Sequence, residues 1–213
     1  MVSVYSLTVK EENELGTREK IVRAAERVMR ERGFAKATTK EIAREAGYSE
    51  GALYKHFEGK EELFLAVLAE RLPSLVALSK ELPERAGRGT VQGTLEEVAG
   101  TALAFYEESV PISASVFSEP ELLARHAEEL RRRGAGPQRA NEAVAAYLRA
   151  EQGLGRVRGD ADPEAAAAML LGACFQRTFV RHFLKEDVGL AGEEYFAEGV
   201  VQTLMGCLSP GGE

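Results

Sequence analysis

Residues 38–64 read TTKEIAREAGYSEGALYKHFEGKEELF, and this stretch decides the fold. It starts a helix, stops it on glycine, starts a second helix and stops again on glycine. Thr38 and Glu41 form a Thr-x-x-Glu capping box that opens a helix running to Gly47. Ser49 can cap the next helix, although Ala52 at the third helical position offers it no reciprocal carboxylate. Helices this short are marginal alone, because nucleation is costly and tertiary packing must stabilise them. Their apolar residues supply that packing. Ile42 and Ala46 mark the buried face of the first helix, and Lys40, Arg44 and Glu45 its wet face. Leu53 and Phe57, spaced i and i+4, turn the second helix inward. Glu50, Gly51, Ala52, Tyr54, Lys55 and His56 are thereby left outside.

Upstream, Thr17 reads as an N-cap. Ile21, Ala24, Ala25, Val28 and Met29 then form one face of an amphipathic helix that Gly33 ends with a left-handed cap. Phe34 reads as a core anchor. Downstream, Lys60 starts a fourth helix carrying Leu63, Phe64, Val67 and Leu68. Pro73 marks a kink, and ELPERAGRGT (81–90) reads as a loop. Longer helices are expected at about 91–109, 120–133, 137–152, 163–185 and 192–208. Asp162-Pro163 supplies an N-cap and an N1 proline for the fourth of these. No strand or hairpin signal, repeat or low-complexity tract interrupts the pattern. The expectation is an all-α chain of about nine helices: a leader at 1–16, a helix-turn-helix domain at 17–62 and a larger helical domain at 63–213.

Bulk properties narrow the function. The 213 residues are 45% hydrophobic and 29% charged, as in a soluble globular protein. No run approaches a membrane span, and residues 1–16 lack the basic flank of a secretory signal, so they read as a disordered leader. A cytoplasmic location follows by default. The two cysteines, Cys174 and Cys207, lie in apolar helical patterns and read as buried small hydrophobes. The net charge of −7 conceals an asymmetry. Residues 17–60 carry eleven basic and seven acidic side chains, a local excess of +4 in an acidic chain. Phosphate affinity depends on that local balance.

Two helices joined by a glycine turn and backed by a packing helix make the arrangement that places its second helix in the DNA major groove. Spacing alone also fits an ordinary helical hairpin with a polar face. The longer pattern is more specific: T-x-x-x-I-x-x-A-A, then G-F-x-x-x-T-T-x-x-I-A-x-x-A-G-Y-S-x-G-A-L-Y-x-H-F, then G-K-E-E-L, across residues 17–64. It resembles the DNA-binding domain of the TetR family of transcriptional repressors. That resemblance implies an all-α homodimer with an N-terminal reading head and a C-terminal domain for dimerisation and ligand binding. The partners implied are near-palindromic double-stranded operator DNA, a second copy of the chain and a small effector that releases the operator.

Carried over by position, Thr39 and Lys40 match phosphate contacts at the start of the second helix. Ser49, Glu50, Gly51 and Ala52 match the base-reading start of the third, and Tyr54 and His56 its phosphate-contacting middle. Lys60 matches the phosphate contact opening the fourth. Gly51 and Ala52 carry little side chain, which leaves Glu50 as the main polar group there. It reads either as an acceptor for a base amino group or as a solvent-facing helix residue. Lys55 is a second candidate for base contact.

The resemblance implies that the last two helices pair with those of a second copy as a four-helix interface; they are rich in small and apolar residues, which permit close helix approach but equally fit an internal core. Phe105, Phe117, Met169, Phe175 and Phe179 are candidates to line an apolar effector cavity, or are plain core. His56, His126 and His182 are scattered, and no metal-ligand or nucleophile spacing is present, so no catalytic residue, metal or cofactor is expected. The competing reading is a helical small-molecule-binding or adaptor protein without functional operator binding.

Overall fold

The computed structural model describes residues 16–71, 74–114, 116–117, 119–132, 134, 136–185 and 192–210. The expected leader, apart from Gly16, and the expected kink at Pro73 lie outside them. Among the described residues ten α-helices and no strand are present. They are α1 (Thr17–Lys36), α2 (Thr39–Glu45), α3 (Glu50–Leu53), α4 (Lys60–Arg71), α5 (Ser74–Glu81), α6 (Val91–Ser113), α7 (Pro120–Arg132), α8 (Gln138–Gly153), α9 (Pro163–Leu184) and α10 (Glu193–Leu208).

Two compact units emerge. One comprises the described residues up to Arg71 together with Pro111–His126. Its core is built by the inward face of α1 (Ile21, Ala24, Ala25, Val28, Met29), with Ile42 and Ala43 of α2, Leu53 and Phe57 around α3, and Leu63, Phe64 and Val67 of α4. Ile112, Val116 and Leu122 complete it. Phe34 packs edge-on against Phe64 at 5.0 Å. It can do so because Gly33, at φ 75°, breaks the helical path just before it. Leu53 is completely buried, a contribution of roughly 1.5–3 kcal/mol that also fixes which face of α3 looks outward.

The second unit comprises the described residues of Leu72–Val110 and Ala127–Glu213. Its core gathers Leu95, Val98 and Ala102 of α6, Val144, Tyr147 and Leu148 of α8, Leu170, Leu171 and Cys174 of α9, and Val201 and Leu204 of α10. The carboxylate of Glu151 is fully buried and accepts from Gly87 N–H at 3.1 Å, with Arg156 Nε 3.3 Å away. Arg156 also donates to Gly89 O at 2.6 Å, so the loop before α6 is tied down twice.

Several boundaries differ from the sequence expectation. The start of the expected 81–90 loop is a 3-10 turn, Leu82–Arg85, because Leu82 is drawn into the core and Pro83 suits the first turn. α6 runs past residue 109 to Ser113 through Pro111, which costs one intrahelical hydrogen bond but does not end the helix. Cys174 is buried as expected, but Cys207 is exposed, on the outer side of α10.

Candidate nucleic-acid interface

The caps at Thr38, Gly47 and Ser49 are made as the sequence requires, whereas α3 ends at Leu53, short of the stop expected at Gly59. Thr38 Oγ1 accepts from Glu41 N–H at 3.2 Å, and its hydroxyl donates to the Glu41 carboxylate at 3.0 Å. α2 ends in a Schellman turn, with Tyr48 N–H donating to Ala43 O at 2.8 Å and Gly47 N–H to Arg44 O at 3.1 Å. Gly47 takes φ 77°, a conformation that side chains with a Cβ adopt at a cost. Ser49 Oγ then accepts from Ala52 N–H at 3.2 Å and opens α3. α3 is only four residues long, shorter than the spacing of Leu53 and Phe57 suggests. The i,i+4 relation survives nonetheless, because Phe57 N–H donates to Leu53 O at 3.1 Å.

The candidate contact residues differ in exposure, and Glu50 and Ala52 are less exposed than the sequence suggests. Ser49, Gly51, Tyr54, Lys55 and His56 are exposed, as is Lys40, whereas Thr39, Glu50, Ala52 and Lys60 are half-buried. Thr39 and Glu50 open α2 and α3, and a hydrogen bond joins them: Thr39 Oγ1 donates to Glu50 Oε1 at 2.6 Å. The Tyr54 hydroxyl lies 3.3 Å from the same Thr39 oxygen. Lys60 is held differently. Its ammonium donates to Phe34 O at 3.0 Å and Ala35 O at 3.4 Å, and sits 4.3 Å from the centre of the Phe34 ring. It therefore caps the carbonyl end of α1 in the free protein.

The local positive charge is distributed in a way that counting residues misses. Arg18 pairs with Glu70, Arg27 with Glu45, Arg30 with Glu26, and Arg32 with Glu41, at 2.6–3.1 Å. The Arg18 guanidinium is raised above its ordinary pKa, first by its hydrogen bond to Glu70. Lys40, Arg44 and Lys55 make no ion pair among the described residues. Lys40 and Lys55 neighbour Thr39 and Tyr54 in the chain, next to the bonded Thr39–Glu50–Tyr54 group.

The candidate effector residues are divided between the two units. Phe117 belongs to the first unit and is 76% exposed. In the second unit, Met169 is 62%, Phe175 46% and Phe179 47% exposed, all on the outer face of α9. Phe105 is half-buried against the core. A ladder of aromatic rings runs from Phe105 to Tyr106, Phe175, Phe179 and Phe183, with successive centres 5.4–6.2 Å apart. Burial pushes the Tyr106 hydroxyl up to about 12. The exposed faces of α9 and α10 continue through Ala165, Ala168, Gly172, Tyr195, Gly199 and Gly206, so apolar and small side chains lie on the surface as well as underneath.

No helix among the described residues is long and apolar enough to cross a membrane. The profile of bacterial regulatory proteins of the tetR family matches residues 21–67, and that of the AefR-like transcriptional repressor C-terminal domain matches residues 94–207. The HTH-type transcriptional regulator SrpR of Pseudomonas putida is 49% identical over 55 residues, a match covering 26% of each chain. A putative TetR-family regulator from Mesorhizobium loti superposes with a TM-score of 0.72 at 19% identity, over 91% of this chain and 96% of that one. SmeT, the repressor of the Stenotrophomonas maltophilia multidrug efflux pump SmeDEF, superposes at 0.62 and 23% identity over 94% and 96%, and is also known in complex with triclosan. The second profile alone spans more than half of the sequence, and the first falls on the capped α2–turn–α3 unit: the chain belongs to the TetR family of transcriptional regulators.

Proposed function

We propose that the protein is a sequence-specific DNA-binding repressor that acts as a homodimer and leaves its operator when a small, largely apolar ligand binds. The observation that carries this reading is the outward face of α2 and α3. It is capped at both helix starts and pinned from behind by Leu53 and Phe57. It is flanked by Lys40 and Lys55, cations without an ion pair among the described residues. Lys40, Lys55, His56 and the N-terminus of α4 at Lys60 supply phosphate contacts, and Ser49, Glu50, Gly51 and Ala52 face the bases. For Lys60 to reach a phosphate through its side chain, the ammonium must leave the carbonyls of Phe34 and Ala35. Its backbone N–H needs no such exchange.

A second copy of the chain is the partner that fits the exposed faces of α9 and α10. Phe175, Phe179 and Phe183 repeat every four residues there, and Gly172, Gly199 and Gly206 permit close helix approach. Phe105, Tyr106 and Phe175, where the ladder enters the core, are the placement we favour for an apolar effector, a reading supported by the triclosan complex of SmeT. Linkage then requires operator and effector to weaken each other's binding by the same factor.

The test is selection of bound duplexes from a randomised library. The expected result is an inverted repeat with half-sites about one helical turn (~34–36 Å) apart or slightly more. Equal binding to all sequences would overturn the proposal.

A further inference from the structure

The protons around Thr39 can be counted, and the count reassigns two of the expected phosphate contacts. A threonine hydroxyl has one proton to donate. Thr39 Oγ1 stands 2.6 Å from Glu50 Oε1, and a carboxylate oxygen only accepts, so the Thr39 proton points at Glu50. The Tyr54 hydroxyl, 3.3 Å from the same oxygen, must then be the donor in the second contact. The result is a directed chain in which Tyr54 donates to Thr39 and Thr39 donates to Glu50. Phosphate oxygens only accept. While the chain is intact, neither Thr39 nor Tyr54 has a proton left for one.

We propose that Thr39 and Tyr54 are positioning residues for Glu50, setting which base it accepts and contributing little to phosphate affinity. This rests on Glu50 being a base-reading residue. The geometry suits the role. Thr39 is the first residue of α2 and Glu50 the first of α3, so the bond links the two helix starts across the turn at Gly47. Glu50 is a long side chain that would otherwise sample several rotamers. Holding Oε1 fixes the carboxylate before DNA arrives and commits one oxygen, which leaves Oε2 to accept from a base. Donation through a chain also polarises each member and strengthens the bond at its end. An oriented acceptor with no proton selects an exocyclic amino group in the major groove, with cytosine N4 the usual match for a carboxylate.

The experiment measures binding of the full-length protein to a randomised duplex library, comparing wild type, Thr39→Val, Thr39→Ser, Tyr54→Phe, Glu50→Ala and the double variant Thr39→Val/Glu50→Ala. Thr39→Val removes the hydroxyl at nearly constant shape, and a thermal melt checks its folding. Thr39→Val is expected to lower discrimination at the base governed by Glu50 by about 5- to 10-fold. Thr39→Ser, which keeps the donor, should retain the wild-type preference. In the Glu50→Ala background Thr39→Val should change nothing further, the signature of one residue acting through another. Tyr54→Phe should show the same shift, but smaller.

A loss by Thr39→Val that is equal on every sequence and persists in the Glu50→Ala background would mean direct phosphate contact, and would overturn the inference. If wild type is selective but Glu50→Ala leaves its preference intact, Glu50 is not the reading group and the inference falls with it. A wild type with no preference would instead sink the proposed function itself.

Discussion

Two exposed surfaces of this chain, the α2–α3 face and the outer face of α9, are left unsatisfied in opposite ways. On α2 and α3 both helix starts are capped and the apolar side chains are turned inward, leaving hydroxyls, carboxylates and the unpaired Lys40 and Lys55 outside. On α9 the exposed side is almost as apolar as the buried one. Phe175, Phe179 and Phe183 stack along it at 6.2 and 5.7 Å. Water solvates the first surface well, so only a partner with complementary charge and hydrogen bonds gains by covering it. It solvates the second poorly, so any matching apolar surface gains by removing it from water. The proposed function matches each face to such a partner: phosphate and base edges in one case, a second apolar helix in the other.

Placing one negative charge on each surface should break this comparison in opposite ways. Phe179→Glu puts a carboxylate in the middle of the aromatic ladder. Light scattering at micromolar concentration is expected to give a monomer mass, against a dimer for wild type. Operator affinity should fall by at least ~100-fold, because the two half-sites are no longer held by one molecule. Lys55→Glu should leave the dimer intact and weaken DNA binding by about tenfold or more at low salt, less at high salt. A Phe179→Glu protein that remains dimeric would remove α9 as the dimer seat. A Lys55→Glu protein with undiminished DNA affinity would remove Lys55 from the phosphate-facing surface.

The same contrast explains what could be read in the sequence. The α2–turn–α3 segment is encoded locally: a capping box at Thr38 and Glu41, a glycine at the one position needing positive φ, and a serine cap three residues before Ala52. Such signals act within a few residues, and each was made as written. The starts of α7 to α10 were legible to within a residue for the same reason. The Thr39–Glu50 bond joins residues eleven apart, and Arg18 finds Glu70 across 52 positions, so neither follows from spacing. Exposure on α9 was hidden for another reason. A helix that is apolar on all sides gives the same pattern whether its second face meets its own core or a copy of itself, so Met169, Phe175 and Phe179 could not be told from core. Pro111 inside α6 shows tertiary packing overriding a local break signal.

A smaller effect sharpens the comparison through the helix caps. Thr38 caps α2 beneath the polar face. Asp162 caps α9, with Oδ1 accepting from Glu164 N–H at 2.9 Å and Ala165 N–H at 3.1 Å. Replacing either by alanine should cost about 1 kcal/mol of stability, seen as a lower denaturation midpoint. Only Thr38→Ala should also weaken DNA binding, since α2 carries Thr39 and Lys40. Equal effects on DNA binding from both variants would mean that the α2 start does not position the interface.

The smallest expected effect concerns aromatic contacts in the two units. In the second unit Tyr106 packs edge-on against Phe175, and its hydroxyl, pushed up to about 12, stays protonated throughout the physiological range. In the first unit the partner of Phe64 is His126, at 6.4 Å and 71° between rings. Burial holds this imidazole below the ordinary histidine range, because its charged form loses solvation. The folded state therefore binds fewer protons at this site than the unfolded chain. Its contribution to stability is complete above the ordinary value of about 6.5 and declines as pH falls below it. His126→Leu keeps an apolar side chain against Phe64 but cannot titrate. As pH drops from about 7 to about 5, wild type should lose stability faster than the variant. Subtracting the two curves removes the other titrating groups common to both proteins. A difference that stays flat over that interval would mean that His126 titrates alike in the folded and unfolded chains, and that the Phe64 contact is as indifferent to pH as the Tyr106–Phe175 contact.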